Sequence, residues 1–110
     1  YYLSELNIEL KKAELMSAKT VEKEPSNSTY LDTYAWIFYM QGNYSLAKFY
    51  IERAVDNLKP DYDAAVIYDH YGDILWKTNN TEKAKEMWKK ALEKGIDTPE
   101  IKQKIEKGIL

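Results

Sequence analysis

The stretch that decides the fold runs from residue 68 to residue 91 and reads YDHYGDILWKTNNTEKAKEMWKKA. Residues 31–54, LDTYAWIFYMQGNYSLAKFYIERA, carry the same pattern of small and aromatic residues 37 positions earlier. Small residues at matching places let two antiparallel helices approach each other closely. In both copies they stand 12 and then 7 positions apart, as Ala35, Ala47 and Ala54 and as Gly72, Ala84 and Ala91. Because one such hairpin cannot bury its apolar face alone, the repetition predicts an all-α stack of hairpins.

The pattern resembles the tetratricopeptide repeat, a 34-residue helix-turn-helix in which W-x2-L-G-x2-Y is followed by A-x3-F and then by Pro. The resemblance extends over roughly residues 1–98. Within the family, the chain is similar to the bacterial type. It implies an antiparallel helix-hairpin solenoid, coiled as a right-handed superhelix with a concave groove. The longer period of 37 residues places three extra residues in the turn-rich segment 57–63, which contains Pro60.

The chain is predicted to be one domain and a piece of a longer protein, cut inside a repeat. Its predicted parts are the second half of a truncated repeat (1–27), two full repeats (28–64 and 65–98) and a C-terminal capping helix (99–110). The truncated copy is the weakest, since Ser17 and Thr20 stand where an aromatic residue and an Ala are expected.

Local signals predict where helices begin and end. A helix is expected to end within residues 1–6, and an amphipathic helix over about 10–23 is expected to carry Leu10, Ala13, Leu15 and Met16. Ser28 is expected to cap the next helix, and Asp61 or Asp63 a later one. In the tail, Thr98 is the expected cap of a helix with an apolar stripe of Ile101, Ile105 and Ile109, and with Lys102, Lys104, Glu106 and Lys107 facing solvent.

Composition excludes several function classes. With 16 basic and 18 acidic residues interspersed, the net charge of −2 argues against a nucleic-acid or anionic-membrane surface, which would need a basic stripe. No membrane insertion is predicted. The absence of cysteine excludes thiol chemistry and fits the cytoplasm and the periplasm equally.

Catalytic and metal signals are weak, so neither an enzyme nor a cofactor is predicted. His70 is the only histidine, which rules out a His-pair metal site within the chain. The run Asp69-His70-Tyr71 has no Ser or Cys nucleophile placed to use it, and we expect His70 to be a helix-surface residue. The run Asp61-Tyr62-Asp63 lacks the Gly and the closing Glu of a calcium loop.

In the family that the chain resembles, the first helix of each repeat lines the groove. The resemblance therefore implies a peptide-binding groove formed by Thr29, Asp32, Trp36, Tyr39 and Met40 and by Val66, Asp69, Asp73, Trp76 and Lys77, with Tyr2 and Glu5 as further candidates. The alternative for the two tryptophans is a place in the core. The alternative for the three aspartates is that they are solvated residues in the early turns of their helices.

Acids beside aromatic rings suit a basic or amphipathic peptide. The best-known ligand of this fold, the carboxylate of a chaperone tail, needs bases where this chain has Asp32, Trp36 and Asp69, so that ligand is disfavoured. We therefore expect a non-enzymatic protein-interaction module. Two alternatives stay open. The first is a structural spacer or a self-association module, in which an apolar end near Tyr1, Tyr2 and Leu3 could pair with another copy. The second is the substrate-recruiting part of a larger enzyme.

Overall fold

The computed structural model describes the backbone of residues 2–58 and 64–108 and the side chains of residues 9–58 and 64–108. This part of the chain folds into six α-helices and contains no strand, so the predicted all-α class is confirmed. The helices are α1 (Tyr2–Lys23), α2 (Ser28–Met40), α3 (Tyr44–Asp56), α4 (Ala64–Lys77), α5 (Thr81–Lys94) and α6 (Pro99–Lys107). None of these described helices has both the length and the apolar character of a membrane span.

The helices form two compact units, Tyr1–Asn57 and Leu58–Leu110. In the first unit, α2 packs against α3 and α1. In the second, α4 packs against α5, and α5 packs against α6. The pairs α2–α3 and α4–α5 are the hairpins that the repeated pattern predicts.

Small residues lie at the helix contacts, as the repeat spacing predicts. Five of them have no exposed surface, namely Ala35, Ala47, Ala54, Ala84 and Ala91, and Gly72 is also buried. In the first unit, aromatic rings of α2 and α3 pack against one another. The ring centroid of Tyr34 lies 4.6 Å from that of Phe38 and 4.6 Å from that of Tyr50. Burial, followed by the neighbouring Tyr50 and Glu14, raises the pKa of Tyr34.

The first helix differs from its prediction. Residues 2–23 form one continuous helix, so the expected helix end within residues 1–6 is wrong; no Gly or Pro occurs before Pro25 to interrupt the backbone. The expected apolar face is also narrower. Leu10 and Ala13 are half-buried, whereas Leu15 is 56% exposed and Met16 is 70% exposed.

The start of α2 is capped by a different residue from the one predicted. The side-chain oxygen of Asn27 accepts a hydrogen bond from the backbone N–H of Tyr30 at 3.1 Å, which makes Asn27 the N-cap. Ser28 is instead the first helical residue, and its hydroxyl donates to the backbone carbonyl of Asn57 at 2.8 Å. This bond fastens the beginning of α2 to the end of α3.

The tail helix begins as predicted. The hydroxyl of Thr98 accepts a hydrogen bond from the backbone N–H of Ile101, and Pro99 occupies the first turn. Ahead of it, Gly95 ends α5 with a φ of +131°, a backbone conformation that favours glycine. The expected cap at Asp61 or Asp63 and the last residue of the expected stripe, Ile109, lie outside the described residues.

Candidate functional site

The predicted groove residues of α2 differ widely in exposure. Thr29 is exposed, Met40 is 50% exposed, and Trp36 and Tyr39 are half-buried. Asp32 is only 8% exposed. The alternative that Asp32 is an ordinary solvated residue is therefore wrong.

The predicted groove residues in the second half of α2, Trp36, Tyr39 and Met40, form a patch of aromatic and apolar surface. The rings of Trp36 and Tyr39 are stacked, with centroids 4.6 Å apart and an interplanar angle of 11°. The ring of Tyr44, at the start of α3, lies 5.5 Å from Tyr39 at a tilt of 59°. Met40 follows Trp36 by four residues, which places the two on neighbouring parts of the helix surface. We call Trp36, Tyr39 and Met40 the α2 aromatic face.

Three of the predicted groove residues on α4 are in contact with other side chains of the second unit. Val66 is 39% exposed and Lys77 is exposed, but Asp73 is only 7% exposed. Trp76 is half-buried, and its ring lies 5.8 Å from the fully buried ring of Trp88. Asp69 is half-buried and belongs to an ion pair.

That ion pair is part of a polar cluster that joins the three helices of the second unit. The indole N–H of Trp88 donates to Oδ1 of Asp73 at 3.0 Å. The ammonium group of Lys104, on α6, lies 3.0 Å from Oδ1 of Asp73 and 3.1 Å from Oδ1 of Asp69. It also lies 5.9 Å from the ring centroid of Trp88, within the range of a cation–π contact.

The charges in this cluster shift one another's titration. Burial raises the pKa of Asp73 above its ordinary value, although Lys104 and the Trp88 hydrogen bond act in the opposite direction. Burial alone would lower the pKa of Lys104. The charges and hydrogen bonds of Asp73 and Asp69 outweigh burial, so that the pKa of Lys104 is raised above 10.5.

The cluster corrects two sequence-based predictions. Lys104 was expected to face solvent, but its side chain is only 24% exposed because it follows the buried Ile101 by three residues and so shares its side of the helix. Asp73 is not a solvated residue, because α6 covers it. A signal was present in the sequence, since Asp69 and Asp73 are four residues apart on α4 and place two carboxylates side by side.

Two glycines of the second unit lie directly against tryptophan rings. A Cβ atom on Gly72 would lie 2.3 Å from Nε1 of Trp88, so a larger residue would displace that indole. A Cβ atom on Gly108 would lie 2.1 Å from the ring of Trp76. The close approach at Gly72 is what allows Trp88 to reach Asp73 from the next helix.

Other candidate positions gain no chemistry from the structure. His70 is half-buried on α4. Within the described residues, no group of three His, Asp or Glu side chains is arranged to hold a metal ion. The side chains of Tyr2, Leu3 and Glu5, and all of Tyr1, lie outside the described part, and with them the predicted dimerisation end.

Comparison with known protein families finds one match in the chain. The family model described as "Tetratricopeptide repeat" matches residues 65–93. No curated protein matches the chain by sequence.

Two solved structures have a similar fold. The first TPR of Spaghetti (RPAP3) bound to the HSP90 peptide SRMEEVD has a TM-score of 0.81 at 17% identity, over 92% of this chain and 78% of that one. The N-terminal domain of stress-induced protein-1 (STI-1) from C. elegans has a TM-score of 0.71 at 24% identity, over 87% of this chain and 78% of that one. Residues 65–93 thus match the tetratricopeptide repeat model, and the chain has a fold similar to that of these tetratricopeptide repeat domains.

Proposed function

We propose that this chain is a non-enzymatic protein-interaction module that binds a peptide or short helix on the α2 aromatic face. The observation that carries the proposal is the stacked pair Trp36–Tyr39 with the half-exposed Met40 beside it. Rigid aromatic surface next to a flexible thioether is typical of protein-binding patches, where large apolar side chains provide most of the binding energy. The likeness to a TPR that holds an HSP90 peptide supports the same class of ligand.

The ligand that fits this face is an amphipathic peptide and not an acidic tail. The peptide SRMEEVD in the similar structure has three acidic residues and one basic residue. Here Asp32 is buried in α2, and Asp69 already pairs with Lys104. Apolar contact with Trp36, Tyr39 and Met40 therefore carries the affinity. Because the chain has a net charge of −2, basic residues on the ligand favour association.

Further contacts are proposed for the exposed members of the predicted groove. Thr29 flanks the α2 aromatic face at the start of its helix. On the second unit, taken by itself, Val66 and Lys77 are exposed on α4 and offer an apolar and a basic contact. Asp69 and Asp73 are less suited to a transient ligand, because both carboxylates are already paired with Lys104, and Asp73 is only 7% exposed.

The test is a selection of peptides from a random display library against the full chain, followed by titration of the selected peptides. We expect amphipathic sequences, and we expect Trp36→Ala to weaken their binding by about tenfold or more, as truncation of an aromatic hot spot does. Phe49→Ala is the matched control, because Phe49 is 53% exposed but lies on α3 outside the face. Equal affinities for the two variants, or no selected peptide at all, would contradict the proposal.

A further inference from the structure

Three side chains of α6 are buried or half-buried. Ile101 is 1% exposed, Lys104 contacts Asp69 and Asp73 of α4, and Ile105 is half-buried. Lys102, Gln103, Glu106 and Lys107 are exposed, and Lys102 pairs with Asp97, which is also exposed. A nine-residue helix is too short to be stable alone in water, so α6 depends on its contacts with the rest of the second unit.

The surface that receives Lys104 has the features of a site for one ammonium group. Asp69 and Asp73 present two carboxylates from adjacent turns of α4, and the Trp88 ring forms a wall beside them. The indole N–H donates to the carboxylate of Asp73 at 3.0 Å, so α5 supplies a contact to this acid that does not depend on α6. Charge-assisted hydrogen bonds and an aromatic face together suit a lysine side chain.

Charge balance determines how this surface can be vacated. If α6 leaves without replacement, two neighbouring carboxylates lose their only described ion-pair partner, Lys104. Because neighbouring carboxylates repel each other, the vacated surface carries an electrostatic cost. Another lysine that enters as Lys104 leaves avoids that cost. Exchange of one lysine-bearing helix for another is therefore favoured over simple opening.

We propose that Asp69, Asp73 and Trp88 form a lysine-recognition site which Lys104 occupies in cis, so that α6 is an intramolecular ligand of the second unit. The external partner that fits is an amphipathic helix with an Ile and, three residues later, a Lys, the arrangement of Ile101 and Lys104. Such a helix competes with α6 for the site formed by Asp69, Asp73 and Trp88. This site is separate from the α2 aromatic face, and its test does not involve Trp36.

The test compares the full chain with its Lys104→Met variant, which keeps an unbranched side chain but removes the charge. Lys102→Met is the matched control on the same helix, because Lys102 is 61% exposed. The first readout is hydrogen exchange of the amides of residues 99–107. We expect Lys104→Met to accelerate exchange by about tenfold, the equivalent of one charge-assisted hydrogen bond, and Lys102→Met to leave it unchanged.

The second readout is binding of a labelled peptide with the sequence of residues 97–110, DTPEIKQKIEKGIL. We expect the peptide to bind the Lys104→Met chain at least about tenfold more tightly than the parent, where α6 competes. The same peptide with Lys104→Met should not bind. Equal exchange in the two methionine variants would overturn the proposal. So would equal affinity of the peptide for the parent and the Lys104→Met chain, or equal affinity of the peptide with and without its lysine.

A variant on the other side of the contact guards against loss of folding in Lys104→Met. Asp69→Asn changes a half-buried residue of α4 and should also accelerate exchange of residues 99–107. In the double variant, the two effects should be less than additive, because each removes the same interaction. Additive effects would show that Lys104 and Asp69 act separately and would contradict the proposed site.

Discussion

The indole nitrogen of Trp88 donates a hydrogen bond to the carboxylate of Asp73 over 3.0 Å, between a fully buried ring and an acid that is 7% exposed. The bond joins α5 to α4, and the same carboxylate is paired with Lys104 of α6. Three helices thus meet at one acidic side chain. Because low-polarity surroundings make each unpaired polar group costly, the stability of this unit depends on all three partners being present.

Replacing Asp73 tests that dependence. Asp73→Ala leaves the indole N–H of Trp88 without its acceptor and removes one carboxylate from Lys104, so we expect the free energy of unfolding to fall by about 2–4 kcal/mol. Urea denaturation followed by circular dichroism gives the value. Asp97→Ala is the control, because Asp97 belongs to a pair that is 69% and 61% exposed and should change stability by less than about 0.5 kcal/mol. Similar losses in both variants would contradict the prediction.

Gly72 tests the close approach of α4 and α5. In an unobstructed helix interior, Gly→Ala stabilises by roughly 0.5–1 kcal/mol. Here the added Cβ would lie 2.3 Å from Nε1 of Trp88, so we expect the opposite sign, a loss of about 1–3 kcal/mol of unfolding free energy. The fluorescence of the buried Trp88 should change as well. A more stable Gly72→Ala protein with unchanged fluorescence would show that the indole does not pack against this glycine.

The overall fold could be predicted because it depends on spacing. The intervals between Ala35, Ala47 and Ala54 place small residues on the facing sides of two helices, and all three are fully buried. The cap at Thr98 follows from local hydrogen bonding in the same way. Such signals lie within one hairpin or one turn, where periodicity is informative.

The candidate site could be predicted only in part, because its polar residues depend on distant neighbours. Position 36 of the first copy corresponds to position 73 of the second, and the sequence alone places both at one register position. Trp36 stacks on Tyr39, whereas Asp73 is covered by a lysine 31 residues away. The sequence places Asp73 in the predicted groove or in solvent, and the lysine that pairs with it lies on a helix outside the repeated pattern.

The alanines that define the repeat provide a test of the hairpin packing. Ala47→Leu and Ala84→Leu should each lower the free energy of unfolding by about 1–3 kcal/mol, because both positions have no exposed surface and an isobutyl group cannot enter without displacing its neighbours. Thermal and urea denaturation measure the loss. Ser45→Leu, an exposed position on the same helix as Ala47, is the control and should be nearly neutral. A neutral Ala47→Leu variant would undermine the alignment of the two copies.

The raised pKa of Lys104 predicts a pH dependence of the contact between α6 and α4. Its folded-state pKa lies above 10.5, so at alkaline pH the unfolded chain loses this proton before the folded chain does. The stabilisation is fully present below 10.5 and is lost as the pH rises through the folded-state value. The difference in unfolding free energy between the parent and Lys104→Met should therefore shrink as the pH rises above about 9. Lys102→Met, measured in parallel, should show no such change. If the difference between the parent and Lys104→Met persists undiminished once the Lys104 ammonium has titrated, the side chain stabilises α6 through its aliphatic stem and not through its charge.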